Sequence, residues 1–291
     1  RVMIPLTQPI DPLARTTALP EIELVVPFVE KDLRTLPLVL SQAKRMVRNP
    51  IGRIVLITPR IKSGPEPRFE SENSKKILES LLASHSNSVL KFDQDILGSA
   101  ILEELESRFG KGDRNSGWVT QQLIKISAAL TSERQASLVI DADTLLLSRK
   151  TWLAENGRQL LQISNEYHSG FMRHLQRFFG VEKKLRVSFI THHQLMQKEV
   201  LEQMFPDGAK SLLRWWRESA EPSGRDLGDY EAYGSFLLDR FPERVEFGSF
   251  GNLLSPHLQR FLEDLEKSQC TPESLVDSYC SISFHSWAQQ K

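Results

Sequence analysis

Two aspartates one residue apart, Asp141 and Asp143, stand between the short apolar runs Leu138-Val139-Ile140 and Leu145-Leu146-Leu147. The first run suits a buried strand of an α/β sheet, which puts the acids at its carboxyl end, where ligands of open α/β sheets collect. Alternate residues of an extended chain point to one side, so both carboxylates could address a single divalent cation. A hard ion such as Mg²⁺ or Mn²⁺ takes oxygen ligands and bridges to phosphates, which makes a nucleotide diphosphate the leading ligand class. The competing use, a solvated turn, does not explain why two acids should follow a strand of Leu, Val and Ile.

Other chemistry-bearing residues fall nearby in the expected fold. In the helix expected over Trp118–Leu130, Trp118, Gln121, Gln122 and Lys125 share one face, while Leu123, Ile126 and Leu130 share another. The polar face either meets solvent or looks into a cleft, where Lys125 would bring positive charge to a diphosphate. His192 and His193 follow an expected strand at Val187–Ile190; His192 is the stronger candidate to touch an acceptor or phosphate. Asp229 and Glu231 open an expected helix, so each is either a catalytic base or part of a helix cap. Trp215, Trp216 and Tyr233 could stack on a sugar but at helical spacing also suit a core, and Arg173, Arg177 and Arg214 either hold an anionic acceptor or face water.

These residues need a scaffold, and the sequence supplies one. Ile22–Val26 reads as a strand, Asp32–Met46 as an amphipathic helix and Ile54–Ile57 as a second strand, together a right-handed βαβ unit. A short helix at Ser74–Ala83, a third strand at Val89–Phe92 followed by Asp93, and a helix over Ile96–Phe109 come next. Gly110–Gly117 reads as a loop without a P-loop signature. Beyond the aspartates the pattern is less regular, with helices expected at 194–205, 210–218 and from Ser235, and a last strand at Ser278–Phe284. Residues 1–20, rich in proline, read as an extended arm and 21–291 as one domain, 21–147 binding the donor and 148–291 the acceptor.

Composition excludes several classes. Thirty-seven basic residues balance thirty-seven acidic ones, so no global field recruits nucleic acid. Two cysteines make neither a disulfide framework nor a zinc site and fit a reducing cytoplasm. No apolar run approaches the ~20 residues of a transmembrane helix, and no signal peptide is evident. Arg1 in place of an initiator methionine is expected from processing or trimming.

The pieces Gly117-Trp118-Val-Thr-Gln121-Gln122-Leu-Ile-Lys125, Ile140-Asp141-Ala-Asp143-Thr144, Phe189-Ile-Thr191-His192-His193 and Asp229-Tyr230-Glu231-Ala-Tyr233-Gly234 occur in an order that resembles metal-dependent glycosyltransferases of the GT-A fold. More closely, the chain resembles an uncharacterised bacterial family of GT-A-like glycosyltransferases. The resemblance implies a GT-A-like (Rossmann-like) mixed, mostly parallel sheet flanked by helices, with an irregular helical acceptor-side half. It implies Mn²⁺ or Mg²⁺ on Asp143, with Asp141 at the ribose or a metal-bound water and His285 as a further ligand. Pro27, Phe28 and Val29 would line the base, with Asp93 across the pocket, and Gln122 and Lys125 would face the donor. The implied substrates are a nucleotide sugar, a UDP-sugar favoured, and a glycan or lipid-linked acceptor of bacterial surface polysaccharide synthesis. Work at the inner face of the cytoplasmic membrane by peripheral association would follow. One departure stands out: Gly228-Asp229 replaces the expected Ser-Glu before the tyrosine, which shortens the carboxylate's reach. Two alternatives compete, a sugar-phosphate nucleotidyltransferase, whose glycine- and lysine-rich signature is missing from Val26–Glu30, and a non-catalytic sugar- or nucleotide-binding protein on a degenerate transferase fold.

Overall fold

The computed structural model describes residues 11–284 except 16, 61–65, 111, 165, 167, 184–186, 220, 222, 250, 255–262, 264–265 and 268–278. In chain order the elements are β1 (Ile22–Pro27), α1 (Leu36–Met46), β2 (Ile51–Thr58), α2 (Glu72–Ser84), β3 (Ser88–Phe92), α3 (Asp93–Leu97), α4 (Ser99–Phe109), α5 (Arg114–Leu130), β4 (Ala136–Ile140) and β5 (Thr144–Leu146). They continue with β6 (Gln159–Ile163), α6 (Ser169–Phe179), β7 (His193–Gln197), α7 (Lys198–Met204), α8 (Ala209–Arg217), α9 (Asp229–Arg240), β8 (Val245–Ser249), β9 (Asn252–Leu254) and β10 (Ser281–Ser283).

The central sheet has the order β3-β2-β1-β4-β7. Its first four strands run parallel and β7 runs antiparallel to β4. The mixed, mostly parallel sheet flanked by helices is thus the expected architecture. Alternation along the strands splits the core into two layers. Leu24, Val26, Leu56, Leu138 and Ile140 face α1, whereas Val25, Val55, Ile57, Val139 and Met196 face α5, α7, α8 and α9. The chain winds outward from β1 to β3 and then returns to place β4 on β1's other side. The reversal lies between β1 and β4, the place where open α/β sheets bind ligands.

Several expectations need correction. The segment Val187–Ile190 is no strand; Ser188 makes only an isolated bridge to Ser164. The strand is β7, at the start of the stretch expected to be helical, because the five residues His193–Gln197 pair with β4; the helix forms only from Lys198 to Met204. A single helix over 96–109 breaks at Gly98, whose φ of +81° is open to glycine and strained for other residues. Helix α5 begins at Arg114, four residues before the expected start at Trp118, capped by Asp113, whose side chain accepts from the Asn115 and Ser116 amides. The described part of the arm is docked: Leu13 is buried, and Asp11 accepts from Thr151 N–H and Oγ1, both at 2.9 Å. No described helix is long and apolar enough to cross a membrane.

Candidate active site

The backbone between β4 and β5 is pinned at three successive residues. Asp141 N–H donates to the His192 carbonyl at 2.9 Å, Thr35 Oγ1 donates to the Ala142 carbonyl at 2.7 Å, and Phe284 N–H donates to the Asp143 carbonyl at 2.8 Å. Contacts from β1's loop, β7's entry and β10's exit therefore fix the turn that carries both aspartates. His192 holds its place with φ of +59°, a strained conformation for a residue with a Cβ.

Below the turn lies a buried polar network. Lys125, only 2% exposed, sets Nζ 2.5 Å from Asp141 Oδ1 and 3.3 Å from Asp229 Oδ2. The Tyr230 hydroxyl donates to Asp141 Oδ1 at 3.0 Å, and its ring lies under the ammonium, 4.3 Å from Nζ to the centroid. His192 Nδ1 is 3.4 Å from Asp141 Oδ2. Gln122 Oε1 accepts the Asp229 N–H at 3.1 Å, tying the start of α9 to α5.

One ammonium among these acids decides which are charged. Burial pushes the Asp141 carboxyl up, but Lys125 and His192 outweigh it and hold Asp141 well below the usual carboxylate range. Burial alone would lower Lys125, yet Asp141 and Asp229 raise it. Asp229, farther from the ammonium, is raised: burial is the largest cause, Lys125 opposes it, and the charge on Asp141 adds to it. Lys125 and Asp141 thus form the closest ion pair, and Asp229 has the higher proton affinity of the two acids. Asp32 was not anticipated. Its carboxyl is pushed up to about 6, first by burial, against a hydrogen bond from Val29 N–H and the charge of Lys31, with Asp143 and Asp141 adding repulsion.

All of this opens on a cavity of about 1320 Å³ at the strands' C-terminal ends. Pro27, Phe28, Val29, Asp93, Gln122, Lys125, Asp141, Asp143, His192 and Asp229 line it, so the structure brings these expected residues together. Asp93 Oδ1 also accepts from the Arg60 and Gln94 amides, fixing the bend into α3.

No family model matches the sequence, nor does any curated protein. Among solved structures, the chain is similar to mouse xyloside xylosyltransferase 1 in its apo form, at 12% identity over 90% of this chain and 97% of that one, with a TM-score of 0.43. It is similar to the galactosyltransferase LgtC in complex with donor and acceptor sugar analogs, at 10% identity, 90% and 87% coverage and a TM-score of 0.45. The mannosyltransferase Ktr4p of S. cerevisiae stands at 10% identity, 84% and 72% coverage and a TM-score of 0.41. These neighbours are glycosyltransferases; likenesses this distant assign no residue of this chain a task.

Glu231 is a correction. It is fully buried and lies away from the cavity, accepting from Ser188 Oγ and Phe189 N–H at 3.0 Å each, from Ser235 Oγ at 2.7 Å, and from the Lys183 ammonium. One helical residue after Tyr230 its side chain has rotated onto the protein side of α9, where it clamps the Ser188 segment. His193 sits inside β7, its imidazole pushed down to about 3 by burial and edge-on to Trp152. Trp215, Trp216 and Tyr233 are core residues; the Tyr233 hydroxyl donates to Gln159 Oε1 and accepts from Gln197 N–H, both at 2.7 Å. His285 lies outside the described residues. Among the described residues no three His, Cys, Asp or Glu side chains form a ready-made metal cage. Asp143 and Asp141, both lining the cavity, carry the hard carboxylate oxygens that suit Mg²⁺ or Mn²⁺.

Residues that sequence reasoning missed are Tyr230, Asp32, Glu166 and His168, all lining the cavity. Tyr230 was within reach, since it stands beside Asp229 in the same short motif. Nothing in the spacing of the other three marks them.

Proposed function

We propose that this chain is a cation-assisted glycosyltransferase, moving a sugar from a nucleotide-sugar donor to a glycan or lipid-linked acceptor. The observation that carries the reading is the meeting of the pinned Asp141–Asp143 turn with the buried Lys125 ammonium at the mouth of a cavity of about 1320 Å³. A cavity of ~300–1,000 Å³ houses one drug-sized ligand, so there is space here for donor and acceptor together.

Pro27, Phe28 and Val29 would receive the base, with Asp93 across the pocket. Asp143 and Asp141 would hold the Mn²⁺ or Mg²⁺ ion; Oδ1 of Asp141 is engaged by Lys125 and Tyr230, and Oδ2 faces His192 Nδ1 at 3.4 Å. Such an ion would supply Lewis-acid stabilisation of the departing diphosphate. Lys125 would add fixed positive charge at the same place, already oriented by two carboxylates and a ring face. Asp229 is the better-placed base of the two expected, since it lines the cavity and burial raises its proton affinity, whereas Glu231 lies away from the cavity. His192, between Asp141 and Glu166, would orient the acceptor side. The resemblance favours a UDP-sugar and a place in bacterial surface polysaccharide synthesis at the inner membrane face.

The test is a thermal-shift screen of UDP-, GDP- and CDP-sugars with and without Mn²⁺. A donor present at 100 times its Kd adds ~2.7 kcal/mol to the folded state, so one nucleotide class should raise Tm when Mn²⁺ is present. No shift with any of them ends the proposal.

A further inference from the structure

Part of the cavity wall is aromatic and stands outside the network around Asp141. Trp118 on α5 and Phe171 on α6 have ring planes 19° from parallel and centroids 6.2 Å apart, and the His168 ring lies 4.9 Å from Phe171. All three line the cavity, as do Gln121, Glu166 and Arg225. His168 Nε2 is 3.1 Å from Glu166 Oε1, and Glu166 Oε2 is 3.7 Å from His192 Nε2, so this wall adjoins the residue that touches Asp141. Trp118 keeps partial exposure, whereas Trp152, Trp215 and Trp216 are buried in the core.

Phe171 reaches this position because residue 228 has no side chain. A Cβ on Gly228 would fall 2.6 Å from Phe171 Cδ2, closer than real contacts allow. The serine that the resemblance implies there would displace the ring; glycine lets it lie against the chain next to Asp229. Near-parallel aromatic faces bordered by a carboxylate, an imidazole, an amide and a guanidinium match a pyranose ring, which offers a C–H face to the aromatics and hydroxyls to the polar edge.

We propose that Trp118, Phe171 and His168 form the subsite for the acceptor's sugar ring, that the acceptor therefore ends in a saccharide, and that Gly228 positions the platform by admitting Phe171. The word acceptor rests on the transferase reading; the binding of a sugar ring does not.

Saturation-transfer NMR with the methyl glycosides of glucose, galactose, mannose and N-acetylglucosamine tests it on the wild type and on Trp118→Ala, Trp118→Phe, Phe171→Ala and Gly228→Ser. At least one glycoside should bind the wild type through its ring C–H protons. Its affinity should fall about tenfold, equivalent to ~1.4 kcal/mol, in Trp118→Ala and in Gly228→Ser, and be largely kept in Trp118→Phe. Gly228→Ser should add no further loss once Phe171 is alanine, a coupling that general destabilisation would not produce. Binding of UDP with Mn²⁺ should be unchanged in Gly228→Ser. No glycoside bound by the wild type, or equal binding by Trp118→Ala, overturns the subsite. Glycoside binding that follows this pattern without any nucleotide binding would instead sink the transferase reading and leave the subsite standing.

Discussion

Replacing Lys125 with methionine keeps the apolar stem and deletes the one ammonium shared by Asp141 and Asp229. At an effective dielectric of ~20, a unit charge 3.3 Å from a carboxylate interacts by ~5 kcal/mol before desolvation. Removing one partner of a buried pair costs a net ~3–5 kcal/mol, because the remaining charges stay buried without compensation. Lys125→Met should lose that much at pH 8. Asp229, already raised, would rise further in the variant, so the folded state would bind a proton that the unfolded state releases. Stability should then fall as pH rises, and the deficit should shrink on acidification. Adding Asp229→Asn should remove that pH dependence and recover about 1 kcal/mol or more, the size of coupling expected for groups in one network. Urea unfolding of the wild type, both single variants and the double variant at pH 5 and pH 8 measures the cycle. If Lys125→Met matched the wild type within about 0.5 kcal/mol at both pH values, or the two changes simply added, the account of the network would be wrong.

Asp32→Asn should stabilise the protein above pH 6. The native carboxyl's proton affinity, raised from 3.8 to about 6, makes stability fall as pH climbs through that window, a cost of up to ~3 kcal/mol at neutral pH that an amide escapes; equal urea midpoints at pH 4 and a higher one for the variant at pH 7.5 are expected. Glu231→Ala should cost about 3–5 kcal/mol by stranding Lys183 and undoing the clamp on Ser188 while leaving nucleotide binding intact. Lost sugar transfer with unchanged stability in that variant would instead make Glu231 the base.

The part of the cavity around β4 and α5 was legible in sequence because its residues sit at intervals set by local geometry. Asp141 and Asp143 follow an apolar strand directly, and Gln122 and Lys125 break a helix otherwise apolar on its buried side, so only a polar cavity accommodates them. The part built from β7, α6, α8 and α9 was not legible, since what decides it is contact between distant segments. His193–Gln197 neither alternates nor runs apolar; it becomes a strand because β4 offers a free edge and because its Gln197 side chain donates to Gln159 Oε1 at 2.8 Å. Glu231 shares a helix with Asp229, yet its fate depends on Lys183, 48 residues away. Trp215 and Trp216 match Trp118 in type, yet of these three only Trp118 lines the cavity, its ring beside Phe171 of α6, while the other two are buried in the core.

The central claim is that a divalent ion joins the β4 carboxylates to a nucleotide diphosphate. Calorimetric titration of UDP into the wild type and Asp143→Asn, each in Mn²⁺ and in EDTA, tests it most directly. Mn²⁺ should tighten binding to the wild type by about tenfold or more, the equivalent of ~1.4 kcal/mol, and should do nothing for Asp143→Asn. Equal affinity of the wild type in Mn²⁺ and EDTA, or an Mn²⁺ effect that survives in Asp143→Asn, would contradict it.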